Sequence, residues 1–122
     1  MSETKAKGPW PTEVRLKRDR RALAVRFDDG VDHEISAEML RVLSPSAEVQ
    51  GHSPEQRKTV GGKQNVSITA VDPVGNYAVR LTFDDGHSTG IFTWTYLRRL
   101  GDERDTLWAE HLAELQEKGL SR

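Results

Sequence analysis

Apolar and polar residues alternate in short bursts along this chain, and Asp-Gly pairs separate the bursts. Val14-Arg15-Leu16-Lys17 has the period of a half-buried strand. Leu23, Val25 and Phe27 then fall on one face of a second strand. Asp28-Asp29-Gly30 follows at once, which predicts a hairpin, because glycine accepts the positive φ of a tight turn. The returning strand is expected at Val31–Ile35. Ser36 has the position of a helix N-cap, with Glu38 in the first turn. Ala37, Leu40 and Leu43 recur at helical spacing, so a short helix is expected to run to about Leu43, where Pro45 cannot continue it.

The second half repeats this grammar. Ser53–Gln64 is polar with a Gly-Gly pair and reads as an exposed loop. Asn65–Val71 alternates, with Val66, Ile68 and Ala70 expected on one face. Pro73-Val74-Gly75-Asn76 reads as a turn. Tyr77, Val79, Leu81 and Phe83 share a face of the next strand, Asp84-Asp85-Gly86 is a second hairpin turn, and Ser88–Phe92 returns. Thr93–Leu100 reads as a short helix. Asp102–Lys118 is amphipathic, with Leu107, Trp108, His111, Leu112 and Leu115 on one stripe and Gly119 as its stop.

Phe27-Asp28-Asp29-Gly30 thus echoes Phe83-Asp84-Asp85-Gly86, with Ile35 and Ile91 each five residues beyond the glycine. Leu40-Arg41 and Leu97-Arg98 follow at offsets of ten and eleven. Either a strand–hairpin–strand–helix unit occurs twice, or Phe-Asp-Asp-Gly is good hairpin chemistry used twice. Both readings give a compact, β-rich α+β domain with antiparallel hairpins, two short helices and a C-terminal amphipathic helix.

Composition narrows the function. The chain has 122 residues, enough for one domain. No apolar run approaches the roughly 18 residues that span a bilayer. The polar segment Met1–Gly8 lacks the apolar core of a signal peptide and is expected to be disordered. A cytoplasmic protein is therefore expected. Eighteen basic residues balance 19 acidic ones, for a net charge of −1, so nothing points to nucleic acid. The basic cluster Arg15, Lys17, Arg18, Arg20, Arg21 is interrupted by Glu13 and Asp19. Zero cysteines exclude disulfides, thiol nucleophiles and thiolate metal sites.

Catalytic constellations are also missing. No serine sits in a Gly-x-Ser-x-Gly elbow, and no glycine-rich loop has P-loop spacing. The four histidines, His33, His52, His87 and His111, include no His-x-x-x-His pair. His87 follows a tight turn beside Asp85, and His52 lies in an irregular segment. His111 is expected to be packed and partly buried on the apolar side of the last helix. Tyr77, Phe83, Phe92, Trp94 and Tyr96 gather in one third of the chain, as a core with edges open to a partner.

Three segments carry a family resemblance. The first is Leu40-Arg41 followed by Ser44-Pro45-Ser46-Ala47-Glu48-Val49-Gln50-Gly51-His52. The second is Val74-Gly75-Asn76-Tyr77-Ala78-Val79. The third is Phe83-x-Asp85-Gly86-His87-x-x-Gly90-Ile91-Phe92-x-Trp94-x-Tyr96-Leu97. Together they resemble the gamma-butyrobetaine-hydroxylase-like N-terminal domain family over roughly residues 9–100, leaving 101–122 as a C-terminal helix. That family stands ahead of the 2-oxoglutarate, iron-dependent catalytic domain of carnitine-pathway hydroxylases. It is also appended to some P-loop iron–sulfur carrier ATPases, and it stands alone in bacteria. In the hydroxylases the domain is a zinc module with a Cys-x-Cys-x-x-Cys run and a later histidine. Carried over, the cysteines fall on Ser44, Ser46 and Val49, and the histidine on His87. Serine is a poor zinc ligand at neutral pH and valine none, so that site is expected to be lost.

The resemblance brings no oxygenase barrel with it, and the expected function is a non-enzymatic binding or accessory domain. It implies a protein partner, an iron–sulfur carrier, met through Trp94 and Tyr96 or through the loop at His52, with this chain as an adaptor in iron–sulfur protein maturation. The alternative is a small metal-binding protein that holds zinc or iron with His87, His52 and a carboxylate, Asp85 or Glu48. Neither nucleic acid nor a membrane is expected as a partner.

Overall fold

The computed structural model describes residues 9–46, 49 and 58–122. The strand patterns of the first half give β1 (Pro11–Leu16), β2 (Ala22–Phe27) and β3 (Asp32–Ser36), followed by α1 (Ala37–Val42). The second half gives β4 (Ile68–Val74), β5 (Ala78–Phe83) and β6 (Ile91–Thr93), followed by α2 (Trp94–Asp102) and α3 (Arg104–Glu117). Each set of strands forms a three-stranded antiparallel meander, in the orders β1-β2-β3 and β4-β5-β6. The fold is α+β.

The two halves match bond for bond at their turns. Phe27 N donates to Val31 O at 2.9 Å and Gly30 N to Phe27 O at 3.0 Å; Phe83 N donates to His87 O at 2.9 Å and Gly86 N to Phe83 O at 3.0 Å. Both glycines have positive φ, +89° and +92°. Ser36 Oγ caps α1 by accepting Met39 N, and Thr93 Oγ1 caps α2 by accepting Tyr96 N, each at 3.1 Å. Of the two readings of the Phe-Asp-Asp-Gly echo, element order and turn bonding therefore bear out a repeated unit.

Neither meander closes a core alone. Leu23, Val25 and Phe27 of the first sheet and Ile68, Leu81 and Phe83 of the second are buried in one apolar cluster. Leu40 of α1 and Leu97 and Leu100 of α2 complete it. α2 packs on β3, so the second unit's helix covers the first unit's sheet. The β1–β2 turn also crosses between the sheets. Arg20 sits at φ +62°, unusual for a side-chain-bearing residue; its carbonyl accepts Ile68 N at 2.8 Å and its guanidinium donates to Thr69 O at 3.3 Å.

Several expectations need correction. Tyr77 does not join the buried face of β5; it lies in the turn before it and is 51% exposed. A register shift between Ile68 and Ala70 breaks the alternation of β4, so Val71 rather than Ala70 packs on the core. Pro73 and Val74 belong to β4 and not to the turn; β4 is an edge strand, where proline's missing N–H is tolerated. The strand expected at Ser88–Phe92 narrows to Ile91–Thr93. Asp102 ends α2, and α3 starts after Glu103. Leu112 leaves the buried stripe at 38% exposure, while His111 is buried against the Trp108 ring. The loop ending at Gln64 is irregular over its described part, 58–64, but not fully exposed, because Gly62 N donates to Ser121 O at 2.8 Å. The expected disorder of residues 1–8 falls outside the described residues. Among the described residues no helix is long and apolar enough to cross a membrane.

Gly101 on α2 marks a close approach between the units. A Cβ there would lie 2.2 Å from the His33 ring, which is held in place at 2.8 Å from Asp102. Alanine normally stabilises a helix interior over glycine by about 1 kcal/mol. Overpacking a well-filled site costs roughly 1–3 kcal/mol, so Gly101→Ala is expected to destabilise the chain by about 1 kcal/mol net. Urea unfolding measures this, and a gain in stability would mean that the contact is looser than described.

Candidate functional site

The second turn gathers the residues that the sequence singled out. Gly86 lets the chain reverse, and His87 N donates to Asp85 Oδ1 at 3.0 Å, fixing both side chains at one rim. Asp85 Oδ2 accepts Arg41 Nε at 2.8 Å and Lys63 Nζ at 2.6 Å. Burial alone would raise the Asp85 carboxyl, but hydrogen bonds from Lys63, from the His87 N–H and from Arg41, with the Arg41 charge, hold it well below the usual carboxylate range.

The first turn is bound in the mirrored sense. Val31 N donates to Asp29 Oδ1 at 3.3 Å, and Arg98 of α2 reaches Asp29 Oδ2 at 2.9 Å. The arginine of α1 thus serves the turn of the second unit, and the arginine of α2 serves the turn of the first. Arg98 also lies 5.2 Å above the Phe27 ring and bonds Asp102, which in turn meets His33 Nε2 at 2.8 Å. Hydrogen bonds from His33 and Arg98 lower the Asp102 pKa against a smaller opposing effect of burial, and Arg98 likewise lowers that of Asp29. Sequence reasoning missed the His33–Asp102–Arg98–Asp29 chain. The signal was present, because Leu40-Arg41 and Leu97-Arg98 already stood in the echo.

The positions that the family resemblance marks as zinc ligands do converge. Ser44 Oγ lies 3.0 Å and Ser46 Oγ 3.4 Å from His87 Nε2. Val49 N donates to Ser46 O at 3.1 Å, and the Val49 side chain is buried. Hydroxyl–imidazole bonds and an apolar side chain thus occupy the corner that thiolates would fill. Gly90 closes it, since a Cβ there would lie 2.2 Å from Ser44 Oγ.

His87 and Asp85 are brought together, but both oxygens of Asp85 are engaged by the three donors above. His52 and Glu48 lie outside the described residues. Among the described residues no group of three or more histidine, aspartate or glutamate side chains is placed to hold a metal. Trp94 is half-buried and donates from Nε1 to Asn76 O at 2.9 Å; Tyr96 donates to Leu43 O at 2.5 Å and lies 6.2 Å from the Phe92 ring. Tyr77, joined to Trp94 through Trp94 N→Tyr77 O at 3.1 Å, is the exposed aromatic of that rim.

Two outcomes follow. A carboxyl whose pKa is depressed by folding stabilises the folded state above its unfolded value, and that contribution is lost as pH falls through the folded value. Asp85→Asn is therefore expected to lower stability near pH 7, with the gap from the unsubstituted chain narrowing below about pH 3.9. Urea midpoints at the two pH values measure it, and a gap unchanged in acid would contradict the pairing. Separately, combining Ser44→Cys, Ser46→Cys and Val49→Cys is expected to give about one tightly bound zinc per chain, with His87 as fourth ligand. Metal analysis after dialysis reads the result, and His87→Ala in that background is expected to abolish the binding.

Comparison with known proteins agrees with this geometry. No curated protein matches the chain. Two proteins with NMR solution structures superpose with TM-scores of 0.79 and 0.81 at 45% and 46% identity; the matches cover 93% and 97% of this chain and 90% and 88% of theirs. A crystal structure from Acidithiobacillus ferrooxidans, of a protein of unknown function in the DUF971 family, superposes with a TM-score of 0.63 at 45% identity, over 75% of this chain and 91% of that one. The family model described as gamma-butyrobetaine hydroxylase-like, N-terminal, matches residues 14–98, and the chain belongs to that family.

Proposed function

We propose that this chain is a non-enzymatic, cytoplasmic accessory module that binds a partner protein through the aromatic rim of Tyr77, Trp94 and Tyr96. The observation that carries the reading is the use to which its reactive groups are put. Asp29, Asp85, Asp102, His33 and His87 are all engaged in bonds that join one part of the fold to another. Ser44 and Ser46, whose hydroxyls meet His87, are buried, which keeps a substrate from reaching them as nucleophiles. Tyr77, by contrast, presents a large amphipathic ring to solvent on a rigid turn, at low entropic cost to a partner.

The finer reading is an adaptor in iron–sulfur protein maturation, whose partner is an iron–sulfur carrier ATPase. It rests on the family's fusion to such carriers. The zero cysteine count limits the role to contact, since no thiolate here holds a cluster. The test is a binding measurement between the purified chain and the carrier ATPase of the same cell, in cluster-free and cluster-loaded forms. Micromolar binding is expected, weakened about tenfold or more by Tyr77→Ala. Absence of binding to both forms would remove the iron–sulfur role, and binding insensitive to Tyr77→Ala would remove the aromatic rim.

A further inference from the structure

A second feature lies away from that rim. Glu38, in the first turn of α1, has a side chain only 7% exposed. Among the described residues its carboxylate is held by Arg122, through Nε–Oε2 at 3.1 Å and NH2–Oε1 at 2.9 Å. The same guanidinium lies 5.5 Å above the Trp108 ring of α3. A buried carboxylate is costly unless paired, and a planar fork against one carboxylate and one aromatic face is an arrangement that an arginine satisfies and a lysine does not.

Arg122 lies beyond the last helix. α3 ends in a Schellman turn, with Gly119 N donating to Gln116 O and Leu120 N to Leu115 O, and the chain beyond has no regular structure. Arg122 itself is 45% exposed. The segment is pinned at Ser121, whose carbonyl accepts Gly62 N at 2.8 Å. Around the guanidinium a cleft of about 490 Å³ opens between β2, β3, α1 and α3, lined by the acidic Asp19, Glu34 and Asp105 as well as by the basic Lys17, Arg21 and Arg104. A lone guanidinium does not fill it, so there is space for the residues that flank an arginine in a peptide.

We propose that the Glu38–Trp108 cleft is an arginine-recognition site, and that Arg122 is its intramolecular occupant, displaced when a partner segment bearing an arginine docks. Glu38 supplies the bidentate carboxylate, Trp108 the stacking face, and the tail acts as a competitor that keeps the buried charge paired in the free protein.

The experiment is a calorimetric titration with acetyl-Leu-Ser-Arg-amide, and with the lysine counterpart of that peptide, against the full chain and its variants. Arg122→Ala is expected to bind the arginine peptide at least tenfold more tightly than the unsubstituted chain does, and to prefer it over the lysine peptide by at least fivefold. Adding Glu38→Gln is expected to abolish binding, while Tyr77→Ala leaves it unchanged. Loss of stability in Arg122→Ala without any gain in peptide binding would make the tail a structural clasp only and overturn the proposal. So would binding that survives Glu38→Gln. If Arg122→Ala fails to fold, Arg122→Lys, which keeps a cation on Glu38 but not the fork, takes its place in the titration, with the same two results counting against the site.

Discussion

Two arginines hold the design of this domain together by crossing over. Arg41 leaves α1 for the turn after β5, and Arg98 leaves α2 for the turn after β2. A three-stranded meander with a helix of six residues has too little apolar surface to close on itself. Exchanging helices and turns lets two such units share one core. The charged pairs are not the main source of stability, since partly exposed ion pairs contribute at most about 1 kcal/mol. Their effect is on registry: each turn's aspartate meets its arginine only when the other unit's helix is in place.

The units have diverged where each holds its histidine. In the first, His33 meets Asp102 and packs on Gly101, a hydrogen-bonded and tightly fitted contact. In the second, His87 meets the hydroxyls of Ser44 and Ser46 beside Gly90. The serine corner stands without thiolates. The loop entering it is held by Ser44 and Ser46 on His87, by the Val49–Ser46 backbone bond and by the buried Val49 side chain. Hydrogen bonds and packing, each individually weak, hold this corner together.

Much of this was legible in the sequence. Alternation placed β2 and the buried face of β5, the two Asp-Gly pairs placed the hairpins, and Ser36 and Thr93 marked the helix starts because capping is a local property. What failed was governed by long-range contacts. Nothing local puts Tyr77 outside the sheet, shifts the face of β4 at its bulge, or seats the Gly61-Gly62 loop on Ser121. At the site, proximity of Ser44, Ser46 and His87 followed from the family pattern and Asp85–His87 from adjacency. The crossed arginines and the Glu38–Arg122 fork did not, because their partners lie 44 to 84 residues apart.

That crossing also constrains how the chain acquires its shape. The first unit is complete in sequence by Val42, yet the arginine that pairs with its turn aspartate, Arg98, is 69 residues beyond Asp29. A nascent first half therefore has its strands but lacks the helix that covers β3, and order arrives late, when α2 is available. Non-local closure of this kind slows folding and makes it all-or-none. Either half taken alone would lack the arginine that the other half supplies to its turn.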